Sequence, residues 1–128
     1  MQRDMDLMRL VILQVEKDHE GPNDLISYED FNHDMVIDGF TPAQVEYHLK
    51  LAIQSGLIDV PRNAGGLYIF SGLTPSGHDF ADAVRDEKIW SMTKEGALKA
   101  SGFTFELLGQ LAKGLIKQQL EKHTGVAL

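Results

Sequence analysis

Residues 73 to 90, LTPSGHDFADAVRDEKIW, constrain the fold of this chain more than any other stretch. Leu73 and Thr74 read as the close of a strand. Thr74 then reads as an N-cap, and Pro75 takes the first helical position, where its missing N–H is one the helix leaves unpaired anyway. The helix that follows is predicted from Pro75 to about Lys88. Phe80 and Val84, flanked by Ala81 and Ala83, centre its apolar side. His78, Asp82 and Arg85 share the opposite side, and the aromatic Trp90 ends the stretch.

At 128 residues the chain can bury one full core and is too short for two domains of ordinary size, so 1–128 reads as a single domain. Its apolar share of 43% and charged share of 24% are those of a soluble globular protein. No apolar run approaches the length of a membrane span. The opening MQRDMDLMRLVI carries acids where a signal peptide needs a basic region followed by an apolar one. A cytoplasmic protein without membrane association is predicted. The chain has no cysteine, which excludes disulfides, thiolate nucleophiles and thiolate zinc sites.

The net charge of -7 is unevenly distributed. Residues 1–93 hold 16 acids against 7 bases, and residues 94–128 hold 3 against 5. The densest acid lies between Glu16 and Asp38, where Lys17 is the lone Lys or Arg. Such a surface repels phosphate and suits solubility or a basic partner.

Asp4 to about Lys17 is predicted helical, with Met5, Met8, Val11, Ile12 and Val15 on one stripe and Asp6, Arg9 and Gln14 off it. Gly21-Pro22-Asn23 stops it. Met35-Val36-Ile37 is β-prone and predicts a short strand at 34–38. Thr41 to Ser55 is predicted as a helix: Thr41 and Gln44 match the capping-box spacing, Pro42 stands at the first helical position, and Val45, Leu49, Ala52 and Ile53 form a stripe. Leu57–Val60 and Leu67–Phe70 then read as strands of a hairpin around PRNAGG. After Trp90 a helical or frayed link is punctuated by Gly96 and Gly102. Thr104 to about Lys122 is a further amphipathic helix, with Phe105, Leu108, Leu111, Ala112, Leu115 and Ile116 as its stripe; Gly109 and Gly114 weaken it by about 1 kcal/mol each relative to alanine. The order helix, short strand, helix, hairpin, helix is that of a winged helix. The predicted fold is mainly α with a small β-hairpin: a winged-helix-like core at about 4–90 and a C-terminal helical extension at about 91–128. One piece is missing. Where a helix-turn-helix has a further helix before the capped one, this chain has the acidic EDFNHDMVIDGF.

QRDMDLMR at the start, VEYHLKLAIQSGLI in the middle and the 73–90 stretch together resemble an uncharacterised bacterial and phage protein family, a domain of unknown function met in prophages and mobile elements. The family usually has Trp after the threonine, where this chain has Pro75, a change that suits a helix start. The resemblance spans residues 2 to 90. It implies a winged-helix-like domain in a mobile-element context and brings no catalytic residues.

Several residue groups are candidates for function. As a DNA-reading helix, the Thr41–Ser55 segment would present Ala43, Gln44, Tyr47, Leu51 and Gln54, with Lys50 the one Lys or Arg between Ser27 and Pro61. Gln44 suits an adenine edge, but phosphate neutralisation needs several bases. A patch assembled from Arg3, Arg9, Arg62, Lys113 and Lys117 would favour DNA. On the helix after the hairpin, His78 and Asp82 stand four apart, in reach for a base and its orienting carboxylate. Asp82 and Arg85 equally fit a surface salt-bridge network. Asp30-Phe31-Asn32-His33-Asp34 resembles the start of a calcium loop, then fails with Met35 where Gly is needed and Thr41 where Glu is needed. His33, His48 and His78 could converge only through the fold.

The sequence thus predicts no enzyme, no cofactor and no metal site. It predicts an interaction or regulatory protein of a prophage or mobile element that acts through protein–protein contacts, with Tyr47, Leu51, His78, Asp82, Arg85 and Trp90 as the candidate surface. Leu108, Leu111 and Leu115 are the candidate helix face of a homodimer, and the same stripe equally fits closure of the chain's own core. The alternative is a DNA-binding transcriptional regulator of winged-helix type, which the acidic surface disfavours.

Overall fold

A computed structural model describes residues 1–61, 68–99 and 104–126, without the side chains of Lys99 and Phe105. The expected loop residues 62–66, the strand residue Leu67 and the punctuating Gly102 lie outside the described residues. The described chain is mainly helical, with a two-stranded antiparallel sheet. It forms two compact units, Met1–Ala81 and Asp82–Leu128, whose boundary falls inside a helix.

In the first unit α1 spans Met5–Asp18. Asp4 caps it, its carboxylate accepting from the backbone N–H of Asp6 at 2.9 Å and of Leu7 at 3.2 Å. Leu7, Met8, Val11, Ile12 and Val15 are fully buried. Arg9, expected off the stripe, is also buried; a long aliphatic stem can lie along apolar surface. Helix α2 spans Pro42–Gln54 and packs on α1. Its capping box is complete: Thr41 Oγ1 accepts from the Gln44 N–H, and Gln44 Oε1 accepts from the Thr41 N–H. Val45, Leu49 and Ala52 are buried as the spacing predicts, while Ile53 is only half-buried.

The sheet departs from the expected hairpin. Strand β1 is Ile26–Tyr28, and it pairs antiparallel with β2, Tyr68–Phe70, with Ile26 opposite Phe70 and Tyr28 opposite Tyr68. Residues 57–59 pair further along, with 71–74: Ile58 bridges Leu73, Asp59 N–H donates to the Gly72 carbonyl, and Thr74 N–H donates to that of Leu57. Met35–Ile37 forms no strand. Met35 and Ile37 are buried and Val36 is exposed, which is the alternation of a strand, but among the described residues no strand pairs with it. The aromatic rings at 28, 31, 68 and 70 fill this region instead: Tyr28 lies 5.7 Å from Phe70, and Phe31 meets Tyr68 edge-on at 5.5 Å. Each such pair contributes about 0.5–1.5 kcal/mol beyond area burial.

Helix α3 spans Pro75–Val84. Thr74 Oγ1 accepts from the Gly77 N–H at 3.0 Å and donates to the Gly56 carbonyl at 2.6 Å, so one hydroxyl both starts this helix and ties it to the end of α2. Gly77 is buried so tightly that a methyl group there would overlap the Leu57 carbonyl. Phe80, Ala81, Ala83 and Val84 are buried.

The helix expected to continue to Lys88 ends at Val84, and α4 begins at Glu87. The cause is Asp86, whose carboxylate accepts from the Ile89 N–H at 2.9 Å and whose carbonyl accepts from Trp90. It is an N-cap, which starts a new helix rather than continuing an old one. The link after Trp90 is therefore ordered helix to Lys99, with Gly96 inside it facing Leu111 of α5. Helix α5 spans Phe105–Thr124, capped by Thr104, and packs on α4. Thr93, Ala97, Leu108 and Ala112 are fully buried.

Candidate interaction surfaces

The six residues expected as one surface differ in burial and in partner. Tyr47 and Leu51 are half-buried on α2, Tyr47 edge-on to His48. His78 is exposed, and its Nδ1 stands 3.9 Å from Glu16 of α1, not beside Asp82. Asp82 instead accepts from Arg85 Nη1 at 3.0 Å on an exposed face. His78 and Asp82 thus form no base–carboxylate pair, and Asp82 with Arg85 makes the surface salt bridge that the other reading expects. Trp90 is buried, with the Lys94 ammonium 5.9 Å from its ring centre. Leu108 of the presumed dimer face is fully buried within its own chain, which leaves Leu111 and Leu115, both half-buried, as that face.

Gln44 is held in the capping box, Arg9 is buried, and Arg62 lies outside the described residues. The exposed face of α2 carries Glu46 beside Lys50, one turn apart.

The acidic 30–34 segment is a self-capped turn. Asp34 Oδ2 accepts from the N–H groups of Glu29 and Asp30 at 2.8 and 2.9 Å, and Asp30 Oδ1 accepts from the Asn32 N–H at 2.9 Å. The carboxylates that resemble calcium ligands therefore serve backbone amides. The Asp30 and Glu29 amides, helped by His33, hold the Asp34 carboxyl down at about 2. A carboxyl depressed by folding contributes stability that is full above its usual 3.8 and is lost as pH falls through about 2. Asp34→Asn is therefore expected to lower stability at neutral pH, and the gap to wild type should close across that acid window. Urea melts of both proteins at neutral pH and near pH 2 check this; a gap that persists in acid would assign the loss to geometry rather than charge.

Among the described residues no three His, Asp or Glu side chains converge in a way that could hold a metal. His33 pairs with Asp34 and His78 with Glu16. His48 is buried inside the first unit, a residue that the stripe of α2 passed over. Its Nε2 accepts from the Asp4 N–H at 2.8 Å and its Nδ1 donates to the Gln44 carbonyl at 2.8 Å, which fixes a neutral ring with the proton on Nδ1. The signal was its position, three after Val45 and four before Ala52, inside the buried stripe. A second buried polar group also went unread. The Tyr28 hydroxyl donates to Asp18 at 2.6 Å, and Gln14 Nε2 donates to the other carboxylate oxygen at 2.8 Å. Burial, then the Asp18 carboxylate, pushes the Tyr28 hydroxyl far above the ordinary tyrosine range.

One hollow is built beside α2. It measures about 200 Å³ and lies between the irregular 31–40 segment and the start of the helix. Phe31, Met35, Ile37 and Val45 form its apolar floor, and Val36, Phe40, Pro42 and the polar Asn32 stand at its margin.

A model of DUF2513, a family of hypothetical proteins, matches residues 2–104, and the chain belongs to that family. The match contains all three stretches on which the resemblance rests, and two of them meet in the structure through the Asp4–His48 hydrogen bond. An uncharacterized protein of Haemophilus influenzae is 30% identical over 125 residues, covering 94% of this chain and 99% of its own. No solved structure matches the chain. No described helix is long and apolar enough to cross a membrane.

Proposed function

We propose that this chain is a non-enzymatic, winged-helix-like module of mobile-element origin that acts by binding other proteins. The order α1, β1, α2, the 57–59 and 71–74 pairing, then α3 supports the winged-helix reading. The resemblance supports the mobile-element origin. The observation that carries protein binding is the charge around α2. From Asp18 to Leu49 the sequence has eight acids and no Lys or Arg, and Glu46 lies on the exposed face of α2. A duplex brought to that face would meet Lys50 alone as a cation, offset by Glu46 one turn away, with little to release its counterions.

The direct test is fluorescence anisotropy of the full-length protein with labelled duplex fragments at physiological salt. Binding no tighter than the roughly micromolar range of non-specific contacts is expected. A sub-micromolar affinity that falls steeply with salt would return α2 to the DNA-binding regulator reading. In parallel, affinity capture from the host, with and without nuclease, should retain a protein partner in both cases. Loss of all captured protein on nuclease treatment would count against the proposal.

A further inference from the structure

We infer that the hollow at the start of α2 receives one bulky apolar side chain from a basic segment of a partner protein. The inference rests on the protein-binding reading and adds the place and the chemistry of the partner. Three observations carry it. First, the lining is mostly apolar, with Asn32 as its polar side chain, while its margin is open. Met35 and Val45 are each 1% exposed on the floor, whereas Val36 is 66% exposed. An exposed valine beside a preformed apolar depression is what an anchor residue covers on docking. Second, the size fits one side chain. At about 200 Å³ the hollow falls below the roughly 300–1,000 Å³ of small-molecule pockets. Third, the surroundings select charge. Asp30, Asp34 and Asp38 are exposed and each adjoins a lining residue in sequence: Phe31, Met35 and Ile37. With no Lys or Arg from Asp18 to Leu49, this region steers basic segments in and turns away nucleic acid, anionic lipid and acidic proteins.

The test uses the full-length, isotopically labelled protein at physiological ionic strength. The probe is a short peptide of lysines flanking a central leucine; in one control serine replaces the leucine, and in another glutamate replaces the lysines. Amide shifts are expected at residues 30–46, with affinity about tenfold weaker for the serine peptide and no saturable binding of the glutamate peptide. Val36→Ser and Asp38→Lys should each weaken the leucine peptide about tenfold. Both residues are exposed, so thermal melts should be unchanged. Equal affinity for the leucine and serine peptides, or shifts centred elsewhere, would overturn the inference. So would concentration-dependent self-association that shifts the same amides, because the occupant would then be a second copy. If the peptide misses the hollow while wild type and Val36→Ser still capture the same nuclease-resistant partner, the hollow falls and the protein-binding reading stands. If that capture is also lost on nuclease treatment, both fall.

Discussion

Replacing Phe80 by alanine is expected to cost about 3–5 kcal/mol of unfolding free energy, the usual range for a truncated core phenylalanine. Phe80 is 4% exposed, on the same helix as the buried Ala81, Ala83 and Val84. Its removal leaves a void in the core. His78, two residues earlier, stands on the other side. Its side chain is 53% exposed, and its Nδ1 stands 3.9 Å from the Glu16 carboxylate at the surface. His78→Ala should therefore cost under about 1 kcal/mol. Urea melts of the two variants decide the matter, with Phe80→Leu as a milder companion should the alanine variant fail to fold. Equal losses from His78→Ala and Phe80→Ala would mean that the helix presents the wrong face to the core.

The second large effect concerns glycine, and its sign differs along the chain. Gly77→Ala is expected to destabilise by about 3 kcal/mol or more, at or beyond the top of the overpacking range. The added methyl would overlap the Leu57 carbonyl, which already accepts the Thr74 N–H, and would stand 3.1 Å from Leu73 Cβ. Neither neighbour is a flexible side-chain tip, so backbone must move. Gly109 and Gly114 of α5 have nothing within 4 Å of the same added atom. There alanine should gain about 1 kcal/mol each through helix propensity alone. Thermal or urea denaturation of the three single variants tests the contrast. A neutral Gly77→Ala would show that α3 can slide away from Leu57.

What the sequence disclosed follows from how local each signal is. Thr41 with Gln44 and Thr74 with Pro75 are caps written within three residues of the helix they start, and each is readable in the sequence. The break between α3 and α4 was missed although it too is local. Asp86 is a good N-cap, but the amphipathic run across it masked the stop. The strands were harder. Met35–Ile37 has stronger β propensity than Ile26–Tyr28, yet the latter forms β1 because pairing depends on which segment reaches Phe70. The candidate surface suffered for a related reason. Periodicity put His78 and Asp82 on one face of α3, but Glu16, from a different helix, is what His78 meets. The hollow beside α2 had no signal at all, since it arises from an irregular segment whose path no pattern specifies.

The pairing of β1 with β2 has a consequence for the order of folding. The two strands are roughly forty residues apart, and α2 lies between them. Such a sheet cannot zip from a turn as a hairpin does; its closure entropy is met only when other contacts have already brought the ends together. Helices α1 and α2, each with its own cap and joined by the His48 bond to Asp4, can form that contact first. The clasp of Ile26–Tyr28 onto Tyr68–Phe70 is then a late event, and the Tyr28–Asp18 hydrogen bond closes with it. A chain stalled before that step would leave the aromatic residues at 28, 31, 68 and 70 open to solvent, and its first liability would be association through those rings rather than loss of helix.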